Sequence, residues 1–395
     1  MTDYKEIRHQ LHEHPQTAGN EQFAHDMIVR HLQGLHPDKV YTHVGGWGVI
    51  AVWEAKGSHT DTLTHSRVPT IAFRADTDAL PIGHRCGHDG HTTILLRLAE
   101  LVDGNVSAYQ HINILLLWQP AEETGEGARA VLESGILQQY NIQVFYALHN
   151  LPGYPLGTVV LCPKTFAAAS TGVVYRLDGR ETHASTPEMG INPGLAFAEI
   201  VNRFNGFNGR DGEFRQSTLI CVRIGQPAFG TSAGHGEVMF TLRAFTNSEM
   251  EKLLSEANQV VDEVSARYGL KVSRSLVEPF RATENHEECV NALMRQCVSA
   301  GATNTNAITQ SHTNAITQSH TNAITQSHIN AIIKEEPFRW SEDFAEYLQH
   351  FPGAMFGIGA GEEHPELHHP DYDFPDDIME PAARLFLRLA QDFNA

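Results

Sequence analysis

The chain has 395 residues, too many for one ordinary hydrophobic core, so two domains are the first expectation. Hydrophobic residues make up 41%, with 32 Gly and 18 Pro, a composition that excludes a disordered or fibrous chain. The formal charge is −19, from 28 Lys and Arg against 47 Asp and Glu. Nucleic acid and anionic membrane surfaces would be repelled by it and are excluded as partners.

Five cysteines, Cys86, Cys162, Cys221, Cys289 and Cys297, are scattered without a C-x-x-C pair. That argues against a disulfide framework and against a zinc finger. The opening "MTDYKEIRHQLHEHP" has no apolar core and does not read as a signal peptide. Apolar runs such as "ILLLW" (114–118) are far short of a membrane span. A reduced, cytoplasmic protein is expected.

In chain order, apolar spacing predicts helices over 3–14 and 21–35, separated by Pro15 and Gly19. Residues 47–54 and 69–75 read as strands, and "HDGHTTILLRLAELV" as a helix entered from a polar loop. A buried strand at 111–120 ends at Pro120, a helix follows and stops at Gly135, and "VFYALHN" is the next strand. This β-α-β-α alternation predicts a mostly parallel sheet covered by helices. From about residue 166 the pattern becomes strand 171–179, helix 192–205, strands 217–225 and 236–245, helix 247–268 and strand 270–278. That β-α-β-β-α-β order is ferredoxin-like. The chain then returns to helix, strand and a final helix at 376–393. The expected fold class is α/β, a mixed, mostly parallel sheet flanked by helices, with an inserted ferredoxin-like α+β domain. The expected boundaries are 1–165 and 282–395 for one split α/β domain and 166–281 for an inserted lid domain.

The octapeptide "TNAITQSH" occurs at 305–312, 313–320 and 321–328 and decays into "INAII" at 329–333. An eight-residue period is too short for a solenoid of helix pairs. It reads as a tandem duplication lengthening a surface connection. A histidine comb of His312, His320 and His328 is the competing reading, and no carboxylate or thiol within the repeat supports it.

Chemistry-bearing residues gather where open α/β sheets place their sites, after strands and at helix entries. "FRADTDAL" puts Asp76 and Asp78 at a strand end, and "GHRCGHDGH" (83–91) opens a helix with Cys86 and His88. "WQPAEETGEGA" puts Glu122 and Glu123 after a strand, "ALHN" does so with His149, and "ELHHPDYDF" supplies His368 and His369. Taken singly, each has a plainer explanation: an acidic pair at a helix start suits the helix dipole, and a lone histidine is more often a hydrogen-bonded core residue. Together they supply thiolate, imidazole and carboxylate donors, a set that suits zinc, manganese, cobalt or nickel rather than magnesium or calcium.

The motifs "RADTDALPI", "HRCGHDGHTTILL", "QPAEETGEGA", "ALHNLPG", "THASTPEMGINP", "TLRAF", "WSEDFAEY" and "LHHPDYDF" span nearly the whole chain. In this order they resemble the amidohydrolase branch of the dinuclear-metal aminoacylase peptidases, which includes hippurate, N-acyl-amino-acid and indole-acetyl-amino-acid hydrolases. The resemblance implies a zinc-peptidase-like catalytic domain with two divalent transition-metal ions (Mn, Zn, Co or Ni). Their ligands would be Cys86, His88, Glu123, His149 and His368. It implies Glu122 as general base and later acid, and Asp76 as a residue orienting a ligand. His183 of "THAST" would reach the site of a partner subunit and polarise the scissile carbonyl. Arg243 of "TLRAF", with Asn192, would bind the substrate carboxylate. The implied reaction is hydrolysis of small N-acyl amino acids or dipeptide-like amides, in a homodimer or dimer-based oligomer formed through the lid.

The chain departs from that pattern in two places. Only Gly83, His84 and Arg85 separate "DALPI" from "CGHDGH", where family members carry a longer loop, and the repeat precedes "EPFRWSEDF". These departures motivate a second reading, a non-catalytic or impaired metal- and ligand-binding relative. A third, a cysteine-nucleophile hydrolase built on Cys86 and a nearby histidine, leaves Glu122 and Glu123 without a role. A zinc nucleobase deaminase lacks the H-x-E and P-C-x-x-C pattern that it needs.

Overall fold

The computed structural model describes residues 2–56, 68–209, 214–297 and 329–394. The chain opens on helices α1 (Tyr4–Glu13) and α2 (Gln22–Leu32). Asp3 caps α1, its carboxylate accepting from the N–H groups of Lys5 and Glu6. Next come β1 (Lys39–Val44), β2 (Gly48–Trp53), β3 (Pro69–Asp76), α3 (His88–Asp103), β4 (Asn113–Gln119), α4 (Gly127–Glu133), β5 (Asn141–Pro152) and β6 (Val159–Leu161). A second group follows: β7 (Ala169–Asp178), β8 (Thr182–His183), α5 (Gly194–Asn205), β9 (Arg215–Ile224), β10 (Thr231–Ser232), β11 (His235–Ala244), α6 (Asn247–Tyr268) and β12 (Lys271–Phe280). The chain closes with α7 (Glu287–Cys297), β13 (Ala331–Ile333), β14 (Gly353–Gly361) and α8 (Met379–Asn394).

The first and last groups share one eight-stranded sheet, ordered β1-β2-β4-β3-β5-β14-β6-β13. Its centre, β4-β3-β5-β14, is parallel, and antiparallel pairing of β2 with β4 and of β6 with β14 extends it on both sides. Burial on both faces explains why "NILLLWQ" is a continuous apolar run rather than an alternating one. One face packs Phe73, Tyr146 and Phe356 against α3 and Phe386 of α8. The other packs Leu115 and Phe145 under Phe344 and Tyr347.

The second group forms a separate antiparallel sheet, β12-β7-β11-β9. Numbered within the group this order is 4-1-3-2, as a ferredoxin-like β-α-β-β-α-β unit requires. Helices α5 and α6 cover one face through Phe197, Phe204, Leu253 and Val261. The mixed, mostly parallel sheet and the ferredoxin-like insertion therefore follow the sequence expectation.

Three strands of the eight-stranded sheet are not predicted from the sequence, nor is the two-residue pair β8 and β10. β1 is a half-exposed outer strand without clean alternation, while β6 and β13 are three residues each. β13 is formed by the decayed end of the repeat and pairs in parallel with β6. The three full copies at 305–328, with His312, His320 and His328, lie outside the described residues.

Candidate metal and active site

The C-terminal ends of the parallel strands converge, and each delivers a polar group. β3 ends at Asp76, with Asp78 two residues beyond. β4 is followed by Glu122 and Glu123, His149 lies near the end of β5, and α3 begins at His88, directly after Cys86 and Gly87. His368 comes from the segment after β14. Gly87 takes φ +92, and a Cβ there would meet Asn150 Oδ1 at 2.4 Å and the Tyr372 hydroxyl at 2.9 Å. Only glycine lets the Cys-Gly-His turn lie this close to β5.

Cys86 Sγ lies 3.6 Å from His149 Nε2. His88 Nε2 is 3.9 Å from Glu122 Oε2 and 3.8 Å from Glu123 Oε1. Ligand atoms of Cys86, Glu123 and His368 lie within 4.8 Å of one another, as do those of Cys86, His88 and His149 and those of His88, Glu122 and Glu123. The five sequence-proposed ligands and Glu122 thus form one overlapping cluster. Two imidazoles are aimed by their outer nitrogens: His88 Nδ1 pairs with the Asp78 carbonyl at 2.9 Å, and His149 Nδ1 with the Asn150 carbonyl at 2.8 Å. Both Nε2 atoms are left facing the cluster.

A cation fits this space. His88 Nε2 and Glu123 Oε1 are buried without a hydrogen-bond partner, a costly state unless something else satisfies them. Asp76, Glu342 and Asp343 share one buried guanidinium, Arg74, while Asp78, Glu122 and Glu123 lie beside His88 with no Lys or Arg ion pair among the described residues. That negative excess in a buried site calls for positive charge. Burial pushes the Cys86 thiol well up, reinforced by Glu123 and Glu122, and burial holds His149 well below the usual imidazole value. Both members of the Cys86–His149 pair are therefore driven neutral. A thiolate–imidazolium nucleophile is disfavoured, whereas metal binding uses the neutral imidazole as it stands and a thiolate that a bound cation would stabilise against burial.

Glu122 is held in place by its main chain and its neighbours. The N–H groups of Glu122 and Glu123 donate to the two oxygens of Asp78 at 3.1 and 3.0 Å, and the Asp343 N–H donates to Glu122 Oε1 at 3.4 Å. Burial, then Glu342, Glu123 and Asp343, push the Glu122 carboxyl well above the usual range. Burial likewise brings Glu123 up to about 7. Ala121 and His368, both non-glycine, take φ +54 and +66, conformations that cost about 1–3 kcal/mol each and persist where surroundings impose them.

Asp76 makes no contact with a proposed ligand closer than the 3.9 Å to His88 Nδ1. Its Oδ1 instead pairs with His91 Nδ1 at 2.7 Å, and His91 Nε2 with Asn150 Oδ1 at 2.5 Å. Burial would raise the Asp76 carboxyl, but His88, His91 and Arg74 hold it well below the usual range. His91, read from sequence as helix-entry structure, thus links Asp76 to the strand that carries His149. Arg74 also reaches Glu342 at 2.9 Å and Asp343 at 2.8 Å, and Gln119 bridges Arg74 and Asp343. The "SEDF" segment is therefore anchored beneath the cluster despite the repeat upstream. In the sequence Asp78 stands with the strand-end groups but carries no assigned role, and Arg74, Glu342 and Asp343 are not picked out, although "RADTDAL" and "SEDF" contain them.

A cavity of about 450 Å³ opens on Cys86, Glu122, Glu123, His149 and His368, with Phe280, Phe338, Trp340 and Leu151 as its apolar wall. A second, of about 390 Å³, shares Phe280, Trp340, Ser341 and His368 with it and reaches Arg243. Arg243 donates to the Arg339 carbonyl at 2.8 Å and to Ser341 Oγ at 3.1 Å, and no carboxylate partner is recorded for it among the described residues. His183 is elsewhere: it is exposed on β8, its Nδ1 2.7 Å from Ser185 Oγ. Asn192 is exposed as well, donating to Ser232 Oγ at 3.0 Å. Neither joins the cluster of its own chain. The short 83–85 spacer leaves Cys86 and His88 within the cluster, so the reading as a non-catalytic relative is not favoured. Among the described residues no helix is long and apolar enough to cross a membrane.

The model of peptidase family M20/M25/M40 matches residues 56–392. The chain is 26% identical over 404 residues to N-acetylcysteine deacetylase of Bacillus subtilis (strain 168), covering 97% of this chain and 95% of that protein. It is 24% identical to N-acetyldiaminopimelate deacetylase of Bacillus pumilus (strain SAFR-032), covering 92% and 90%. A Bacillus subtilis crystal structure described as a dinuclear metal-binding peptidase from the M20 family superposes with a TM-score of 0.77, at 23% identity, over 99% of this chain and 97% of that one. With that match and a donor cluster fit for a cation, the chain belongs to peptidase family M20/M25/M40 and is a metal-dependent hydrolase.

Proposed function

We propose that the protein hydrolyses the amide bond of small N-acyl amino acids, using two divalent transition-metal ions held by Cys86, His88, Glu123, His149 and His368. The single observation that carries this reading is the overlap of those five donors around the raised carboxyl of Glu122. When bound, such ions make water acidic and polarise a carbonyl. Glu122, buried beside the donors and pushed up in pKa, takes a proton from the attacking water and passes it to the leaving amine. Asp78 and the Asp343 N–H hold it for both transfers.

The two cavities divide the substrate. Arg243, with no carboxylate partner among the described residues, suits the amino-acid carboxylate through a bidentate fork. The wall of Phe280, Phe338, Trp340 and Leu151 suits the acyl group, and its aromatic faces favour a flat ring over acetyl. His183, exposed and apart from its own cluster, supports a role across a dimer, where it would polarise the carbonyl of a partner's substrate; Asn192 lies on the same surface. Residues 166–281 would then serve as lid and dimerisation domain, with 1–165 and 282–395 catalytic.

The experiment is amino-acid release from N-acetyl and N-benzoyl substrates by wild type and Glu122→Gln. The variant should bind metal normally and lose activity by about 10²–10⁴-fold, the usual worth of general acid–base catalysis. Equal turnover by both proteins would refute the mechanism.

A further inference from the structure

We propose that Arg85, the last residue of the short spacer before the Cys-Gly-His turn, is a positioning residue that holds His368 facing the metal cluster. The proposal rests on the reading of His368 as a ligand. Cluster imidazoles elsewhere in the site are aimed through their own rings: His88 by the Asp78 carbonyl and His149 by the Asn150 carbonyl. No comparable ring hydrogen bond is recorded for His368 among the described residues. Its orientation therefore has to come from its backbone, which takes the left-handed conformation at φ +66. A residue with a Cβ keeps that conformation only where its surroundings impose it.

Arg85 supplies those surroundings at both ends of the turn. Its carbonyl accepts the His368 main-chain N–H at 2.7 Å, and its guanidinium Nη1 donates to the Tyr372 carbonyl. Between these two points the Tyr372 N–H donates to the His369 carbonyl at 2.9 Å, so the turn is closed on itself and gripped by one residue. Because Cys86 follows Arg85 directly, the same grip ties the His368 loop to the thiol that shares its donor group, Cys86, Glu123 and His368. The compact Gly83-His84-Arg85 link thus supplies the support for His368, and shortness becomes a means of bringing the two loops together.

The test is calorimetric titration of chelator-stripped wild type, Arg85→Ala, Arg85→Lys, His368→Ala and the Arg85→Ala/His368→Ala double variant with Zn(II), alongside thermal unfolding of each in excess chelator. Arg85→Ala should weaken one of two metal equivalents by about 10–100-fold, the usual effect of removing a group that orients a ligand, and leave the other unchanged. Arg85→Lys should recover part of the loss, since an ammonium still donates to one carbonyl. The double variant should bind no worse than His368→Ala, because the arginine acts through that histidine. If Arg85→Ala does not fold, Arg85→Met, which keeps the aliphatic stem, takes its place. A lower unfolding temperature with both affinities at the wild-type level would show a merely structural arginine and overturn the proposal. Retention of both equivalents by His368→Ala would instead overturn the ligand reading, and the clamp with it.

Discussion

Arg243 shows how much a single side chain says about substrate. Burial lowers its pKa, yet its recorded partners are a carbonyl and a hydroxyl rather than a carboxylate. A guanidinium kept in that state is prepared for an anion that arrives from outside. Replacing it with alanine should raise KM for N-acyl amino acids by about 10–100-fold, as loss of a charge-assisted pair of about 1.5–3 kcal/mol implies, with a smaller change for the corresponding amino-acid amides. Steady-state kinetics on matched acid and amide substrates measures the difference. The residue-scale placements legible in the sequence are those carried by short motifs: "CGH", "PAEE" and "ALHN" put their donors at a helix entry or near a strand end, and "LHHP" puts His368 in the loop after β14. The partner of Asp76 was not legible. His91 and His88 lie three residues apart on one helix start, and only the packing of α3 decides which of them faces Asp76 and which the cluster.

At the scale of elements, α1 and α3 are joined beside the site by a buried carboxylate. Asp89, in the first turn of α3, meets Arg8 Nη1 at 3.3 Å and His12 Nδ1 at 2.8 Å. Burial alone would raise its pKa, but the hydrogen bond from His12 and the charges of His84 and Arg8 bring it down to about 2. An unfolded aspartate titrates near 3.9, so the folded pKa is depressed and the stabilisation is fully present above about pH 4. It is lost as pH falls from there toward 2. The stability gap between wild type and Asp89→Asn, measured by denaturant unfolding in chelator, should be constant between about pH 5 and 7 and shrink below about pH 4. Elements were readable where the period was clean: α3, β4 and α6 fall within a few residues of their expected ends. β1 and β6 were not, because a short strand at a sheet margin is selected by its neighbour's unpaired backbone groups rather than by its own pattern.

For the whole molecule, the mixed sheet and the ferredoxin-like insertion followed from the order of elements alone. What joins the two sheets functionally was not visible in that order. The Arg243 cavity exists because β11 passes close to the Trp340–Ser341 segment of the other group, a long-range contact that no local spacing encodes. The exposed position of His183 leads to a prediction at this scale. If His183 serves a partner's site, Glu122→Gln and His183→Ala chains, each inactive alone, should complement when mixed and refolded. Half of randomly paired dimers would be hybrids with one intact site, giving about a quarter of wild-type activity. Activity no greater than the sum of the separate variants would place His183 outside catalysis.

Metal dependence is the claim on which the rest stands, and one titration tests it: release of amino acid from an N-benzoyl amino acid by chelator-stripped protein as Mn(II) is added back. The buried, unpartnered His88 Nε2 and Glu123 Oε1 and the surplus of carboxylates around Arg74 predict no turnover in the stripped protein and recovery that saturates near two equivalents. Undiminished turnover by the stripped protein, with no response to added metal, would contradict the account.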